Sequence, residues 1–181
     1  MRATRMIAAM AAMTLMMVML GCSSQRANTP SYKDAVKQSL DNGGFKDVTV
    51  SEDRDKGVIT LGGKVISSDE KAKVEDLAKS AAPGMVVADQ VSIEPAGYES
   101  DARKIESSVD KGIQDNFKAA LIGNKLEDQH IQYEAKNGVL TLSGDVATAG
   151  QRAQAEKLAD TIPNVEQVVN KLEVRRHHGG Q

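Results

Sequence analysis

The chain repeats itself. Gly57-Val58-Ile59-Thr60-Leu61-Gly62-Gly63-Lys64-Val65 returns as Gly138-Val139-Leu140-Thr141-Leu142-Ser143-Gly144-Asp145-Val146, with Gly, Val, Thr, Leu, Gly and Val in register. The register runs on: Ala72, Glu75, Leu77 and Ala78 align with Ala153, Glu156, Leu158 and Ala159. Pro83 and Pro163 follow with a shift of one residue, and Asp89 to Ile93 aligns with Asn170 to Val174. A period of about 80 residues is too long for a stacked solenoid and suits tandem small domains. The chain therefore has to fold as two copies of one unit, each with its own core.

Each copy reads as α-β-β-α-β. In the first, Ala35, Val36 and Leu40 form the apolar stripe of a helix over 31–40, which Asn42-Gly43-Gly44 stops. Strands are expected over 45–52, where Val48 and Val50 alternate, and over 58–65. Ser67 and Glu70 have the spacing of a capping box and open a second helix, with Val74, Leu77, Ala78 and Ala81 on one side. Pro83-Gly84 ends it, and 86–93 is the third strand. In the second copy a longer helix over 101–122 carries Ile105, Val109, Ile113, Phe117 and Leu121 in steps of four, read as one buried face. Ile131 and Tyr133 alternate in a strand. Lys136-Asn137-Gly138 marks a hairpin, because Asn-Gly tolerates the positive φ of a type I′ turn. Thr148 and Gln151 repeat the capping box, and 168–174 is the last strand. The fold class expected is α+β: two tandem domains, each a three-stranded mixed sheet packed on two helices.

The N-terminus has another logic. Arg2 and Arg5 precede an uncharged apolar run from Met6 to Leu20, which meets Gly21-Cys22. Basic, apolar and then small residues are the order of a secretory signal peptide. The run is short for a membrane span, which needs about 20 apolar residues. Gly21-Cys22 resembles the bacterial lipobox, although Met19 and Leu20 stand where Leu and then a small residue are more usual. That resemblance implies an acylated Cys22 as the mature N-terminus; Ser23 after it implies an outer-membrane address. Cys22 is the sole cysteine, so no internal disulfide is possible. Ser23 to Pro30 is small and polar, a tether. The organisation expected is a lipoprotein signal peptide over 1–21, a flexible tether over 22–30, a first domain over 31–95, a second over 101–176 and a disordered tail over 177–181.

Composition narrows the function. Without Arg2 and Arg5 the mature chain has a net charge of about −4. With no Trp, two Phe and three Tyr it lacks both the basic excess and the stacking platform of a nucleic-acid binder. Asp and Glu are plentiful but none is paired with a nucleophile, so no catalytic constellation is visible and no enzyme is expected. His177 and His178 are adjacent near the C-terminus without a spaced Cys or His partner, so neither a metal site nor a cofactor is expected.

Gly-Val-x-Thr-Leu-x-Gly-x-Val, the Ala- and Leu-bearing helix and the segment from Pro163 to Val174 together resemble the BON domain, over nearly all of the mature chain. The arrangement is similar to the dual-BON lipoproteins of the bacterial envelope. The resemblance implies a non-enzymatic, periplasmic protein, anchored by its lipid, that associates with phospholipid membrane and supports envelope integrity or stress tolerance. A protein-protein adaptor in the envelope is the alternative.

Two sets of residues stand out. Gly57 and Gly138 sit at turns, and Gly63 and Gly144 end the second strands; all four read as structural positions where only glycine fits. Lys104, Lys111 and Lys118 recur every seven residues on the long helix and share one side. The plain reading of that stripe is a solvated face, since Glu106, Asp110 and Asp115 sit among the lysines. It is also the best candidate for contact with anionic phospholipid, with envelope proteins as other possible partners.

Overall fold

The computed structural model describes residues 31–175. The signal peptide, Cys22, the tether and the tail histidines lie outside the described residues.

The first unit runs α1 (Lys33–Asn42), β1 (Thr49–Asp53), β2 (Val58–Gly62), β3 (Lys64–Val65), α2 (Ser68–Ala81), β4 (Val86–Asp89) and β5 (Ser92–Ile93). The second runs α3 (Glu99–Gly123), β6 (His130–Lys136), β7 (Val139–Val146), α4 (Ala149–Asp160), β8 (Gln167–Asn170) and β9 (Glu173–Val174). In both, a hairpin pairs antiparallel and the third strand returns parallel to the second: β1 on β2 and β4 on β2, then β6 on β7 and β8 on β7. The architecture is thus α+β in tandem, with a mixed sheet in each unit.

The strands depart from the simple reading in one repeated way. The expected third strands are each broken in two. Asp89 Oδ1 accepts the Val91 N–H at 3.1 Å, and Asn170 Oδ1 accepts the Leu172 N–H at 3.1 Å. These short side chains bond to backbone two residues on, the turn that Asp and Asn favour. After the break the chain pairs again, β5 with β3 and β9 with the end of β7. The second strand of the first unit is also interrupted, at Gly63.

Helix caps follow the sequence closely. Thr148 accepts the Gln151 N–H and Gln151 accepts the Thr148 N–H, a complete capping box. The first unit is a variant. Ser67 accepts the Glu70 N–H, but the Glu70 carboxylate takes the N–H of Ile66, one residue earlier.

Each sheet buries one face on its two helices. Val36, Leu40, Ile59, Leu61, Val74 and Val87 form the first core; Phe117, Leu121, Leu140, Leu142, Ala155 and Leu172 belong to the second. Phe117 meets Tyr133 edge-on at 5.2 Å, a favourable aromatic geometry. The other faces meet each other. Val58 and Ala88 of the first sheet are buried against Val139 and Val169 of the second, and these four occupy equivalent positions in the repeat. The two units therefore join through a small apolar seam with near-twofold logic.

Candidate functional site

The element that unites the features singled out in the sequence is α3. It begins at Glu99, before the expected start, and the Glu99 carboxylate accepts the N–H of Gly97, just ahead of the helix, at 3.0 Å. Those backbone bonds, its own N–H first, hold the Glu99 carboxyl below the usual carboxylate range. The helix therefore consumes part of the expected linker.

Its apolar stripe is not one buried face. Ile113, Phe117 and Leu121 are buried and Val109 is partly buried, but Ile105 is 65% exposed. The reason is geometric: each step of four overshoots a full turn by about 40°, so five such residues spiral off any single side. At Ile105 the helix has also run past the core of its own unit.

Lys104, Lys111 and Lys118 are all exposed on α3. Seven residues fall about 20° short of two turns, so the three keep to one side. Ile122, four residues after Lys118, falls on the same line and is 53% exposed. Lys118 and Ile122 also border a shallow groove of about 250 Å³ that reaches Leu126, Ile131 and Tyr133. Lys104 pairs with Asp101 at 3.5 Å on an open surface, a contact worth little. The face thus carries three lysines and an apolar end, with exposed Asp101 and Asp115 beside them, and the bare Ile122 is a feature that repetition of lysines alone did not reveal.

The opposite, inward side of α3 is a brace that the sequence did not disclose. Glu106 accepts from the Ser92 hydroxyl at 2.5 Å and from the Ile93 N–H at 3.0 Å, so it caps β5 of the first unit. Arg103 donates to the buried Glu94 at 2.8 Å. One turn on, Asp110 accepts the N–H groups of Asn137 and Gly138 at 2.8 and 3.1 Å and fixes the hairpin of its own unit. The Asn137 side chain then reaches across to the carbonyl of Gln90 at 2.7 Å. Two acidic residues that looked like neighbours of a basic stripe, Glu106 and Asp110, are in fact directed to backbone donors, whereas Asp115 is exposed beside the lysines.

The glycines divide into two kinds. Gly63 and Gly144 have φ of +98° and +95°, and an added Cβ would lie 2.2 Å from the Asp47 carbonyl oxygen and 2.0 Å from that of His130. There the neighbouring backbone, ahead of β1 in one unit and at the start of β6 in the other, passes too close for any side chain. Gly57 and Gly138 have positive φ at turns; open space surrounds Gly57, whereas Gly138 faces the Glu166 side chain. His130 is exposed on β6, with Arg175 Nη2 2.8 Å from its Nδ1 and Asp145 3.7 Å away. Among the described residues no group of three His, Cys, Asp or Glu is placed to hold a metal, and no helix is long and apolar enough to cross a membrane.

These features define a class: a duplicated α+β module whose distinguishing surface is a helix face and whose two copies are braced together. The chain belongs to the BON domain family, which it matches over residues 31–95 and again over 109–176. Residues 96–108, which include the bracing Arg103 and Glu106, fall between the two matches. The chain is 27% identical over 148 residues to Osmotically-inducible protein Y of Escherichia coli (strain K12), a span of 77% of this chain and 69% of that protein. It also resembles CdsD, a structural protein of the type III secretion system of Chlamydia trachomatis, at 11% identity and a TM-score of 0.35, over 78% of this chain and 91% of that one. For the C-terminal domain of CdsD the values are 15% and 0.31, over 79% and 67%.

Proposed function

We propose that this is a lipid-anchored protein on the periplasmic side of the cell envelope, held at the outer membrane through Cys22, that associates with phospholipid and supports envelope integrity under stress. The observation that carries the reading is the outer face of α3, where Lys104, Lys111 and Lys118 stand in line with exposed Ile122. Lysines attract an anionic headgroup layer by about 1 kcal/mol each near the surface, and an apolar residue at the end of the line adds burial in the acyl boundary. The net acidic balance of the mature chain opposes tight binding, so the lipid anchor supplies the proximity and the helix face supplies orientation. Family membership and the similarity to an osmotically inducible protein support a role in envelope stress.

The test is co-sedimentation of residues 23–181 with phosphatidylcholine vesicles and with vesicles containing 30 mol% phosphatidylglycerol. Binding to the anionic vesicles alone is expected, lost in 0.5 M NaCl and in the Lys104→Glu, Lys111→Glu, Lys118→Glu variant, and weakened in Ile122→Ser. No binding by the parent chain would sink the lipid reading of the folded units and leave an envelope adaptor as the better account.

A further inference from the structure

The seam between the units is small in apolar terms and rich in charge. Its apolar part is the four residues Val58, Ala88, Val139 and Val169. Around it three ion pairs cross from unit to unit, Lys56 to Glu173, Lys71 Nζ to Glu166 Oε2 at 3.6 Å and Lys171 Nζ to Asp53 Oδ2 at 3.1 Å; a fourth, Arg103 to Glu94, lies apart from them at the α3 brace. Each lysine stem is largely buried, while the carboxylates of Glu166 and Glu173 are mostly exposed. Ion pairs with one partner in solvent are accessible to screening by salt. Two neutral side chains cross beside them: Asn137 donates to the Gln90 carbonyl at 2.7 Å, and the Gln167 amide donates to the Val87 carbonyl at 2.7 Å and accepts the Asp89 N–H at 3.3 Å, covering the outer edge of β4.

We propose that this seam is an electrostatic latch that rising ionic strength releases. Lys56, Lys71 and Lys171 hold the closed arrangement against Glu173, Glu166 and Asp53. On release, Gln167 leaves the β4 edge and the apolar patch is uncovered. The units stay joined at α3, whose Glu106 takes neutral donors from Ser92 and Ile93 and is not screened in the same way. That contact is the pivot. Exposed pairs each favour the closed form by roughly twofold to threefold, so three together set a preference of about tenfold.

The Asp89 amide reports the latch, because its acceptor belongs to the other unit. The Leu126 amide is an internal control, since the Leu121 carbonyl, its acceptor at 2.9 Å, lies in the same unit and in its core. The experiment is hydrogen exchange of the full chain with residue-level readout, in 0.05 and 1 M NaCl and in sucrose of matched osmolality. Asp89 exchange is expected to rise by about tenfold relative to Leu126 in salt, as three pairs are screened, and to stay unchanged in sucrose. Lys171→Glu should show the faster exchange already in low salt, and adding Asp53→Lys should restore protection. Asp89 exchange that does not respond to salt in the parent chain overturns the latch, as does failure of the double variant to regain protection while its far-UV circular dichroism is native.

Discussion

Asp89 and Asn170 occupy one place in the repeat and make one bond, to the backbone two residues on. They differ in what else they can do. Asn170 also donates its amide to Glu156 at 2.9 Å. Asp89 has no such donor when ionised, and the equivalent Glu75 repels it. Burial chiefly, with Glu75 and Glu166 adding, pushes the Asp89 carboxyl above its ordinary range, while the Val91 N–H and Lys71 pull it down. Lys79, which pairs with Glu75 at 2.7 Å, lies on the same side. A carboxyl that holds its proton more tightly in the folded state destabilises the fold as pH rises. The penalty is absent below the unfolded value, grows as pH climbs towards the folded one and is complete above it. Asp89→Asn removes it and supplies the donor that Asn170 supplies in the second unit. The variant should gain about 1 kcal/mol at pH 7, the worth of an ordinary hydrogen bond. The gain should shrink towards pH 3.5, and urea unfolding at the two pH values measures it. A gain that is the same at both pH values would mean the Asp89 charge has no part in it.

The elements show how far a sequence reaches. The Asn137-Gly138 hairpin and the Thr148 cap were legible because each depends on residues within a few positions of one another, and the repeat was legible because the chain aligns with itself. What escaped depends on contacts far along the chain. Glu106 looked like an anionic interruption of a lysine stripe, and only the fold brings β5 to it. Ile105 belonged to an apolar series of steps of four, but a straight helix turns it away from the core. The consecutive Val58-Ile59 and Val139-Leu140 did hold a clue. Adjacent apolar residues in a strand point to opposite faces, so both faces of the sheet had to be covered. The seam covers the second. Of the candidate membrane face, the lysines were legible and Ile122 was not, since nothing local says that the end of a helix will lie bare. The bracing role of α3 yields its own expectation. Glu106→Ala leaves the Ile93 N–H without its acceptor, a loss of roughly 1–3 kcal/mol where a donor stays buried. Amide exchange of residues 102–108 should accelerate by roughly fivefold to a hundredfold on that account, while Ile113 to Leu121, held by the second core, should not change. Equal acceleration along the whole helix would show that the brace and the core are one cooperative element.

At the scale of the molecule the question is whether duplication made two domains or one. Each unit has a core of its own, and the faces that join them contribute two small side chains apiece. An interface of that kind resembles a transient contact between proteins more than a domain interior. The two alternatives respond differently to a charge placed in the seam. Val169 is buried there, next to Val139 and across from Val58 and Ala88. Val169→Asp puts an unpaired carboxylate among them, and a buried charge without a partner is costly enough that the structure yields somewhere. If the units are separable, the least costly response is to part at the seam and hydrate Asp at that position while both cores stay intact. Differential scanning calorimetry should then replace one cooperative transition with two, with far-UV circular dichroism at 20 °C almost unchanged. If the seam is part of a single core, the variant should instead keep one transition at a much lower temperature. The first outcome is expected, because Val169 faces away from the helices of its unit and Leu140, Leu142 and Leu172, which pack on them, are untouched by the change.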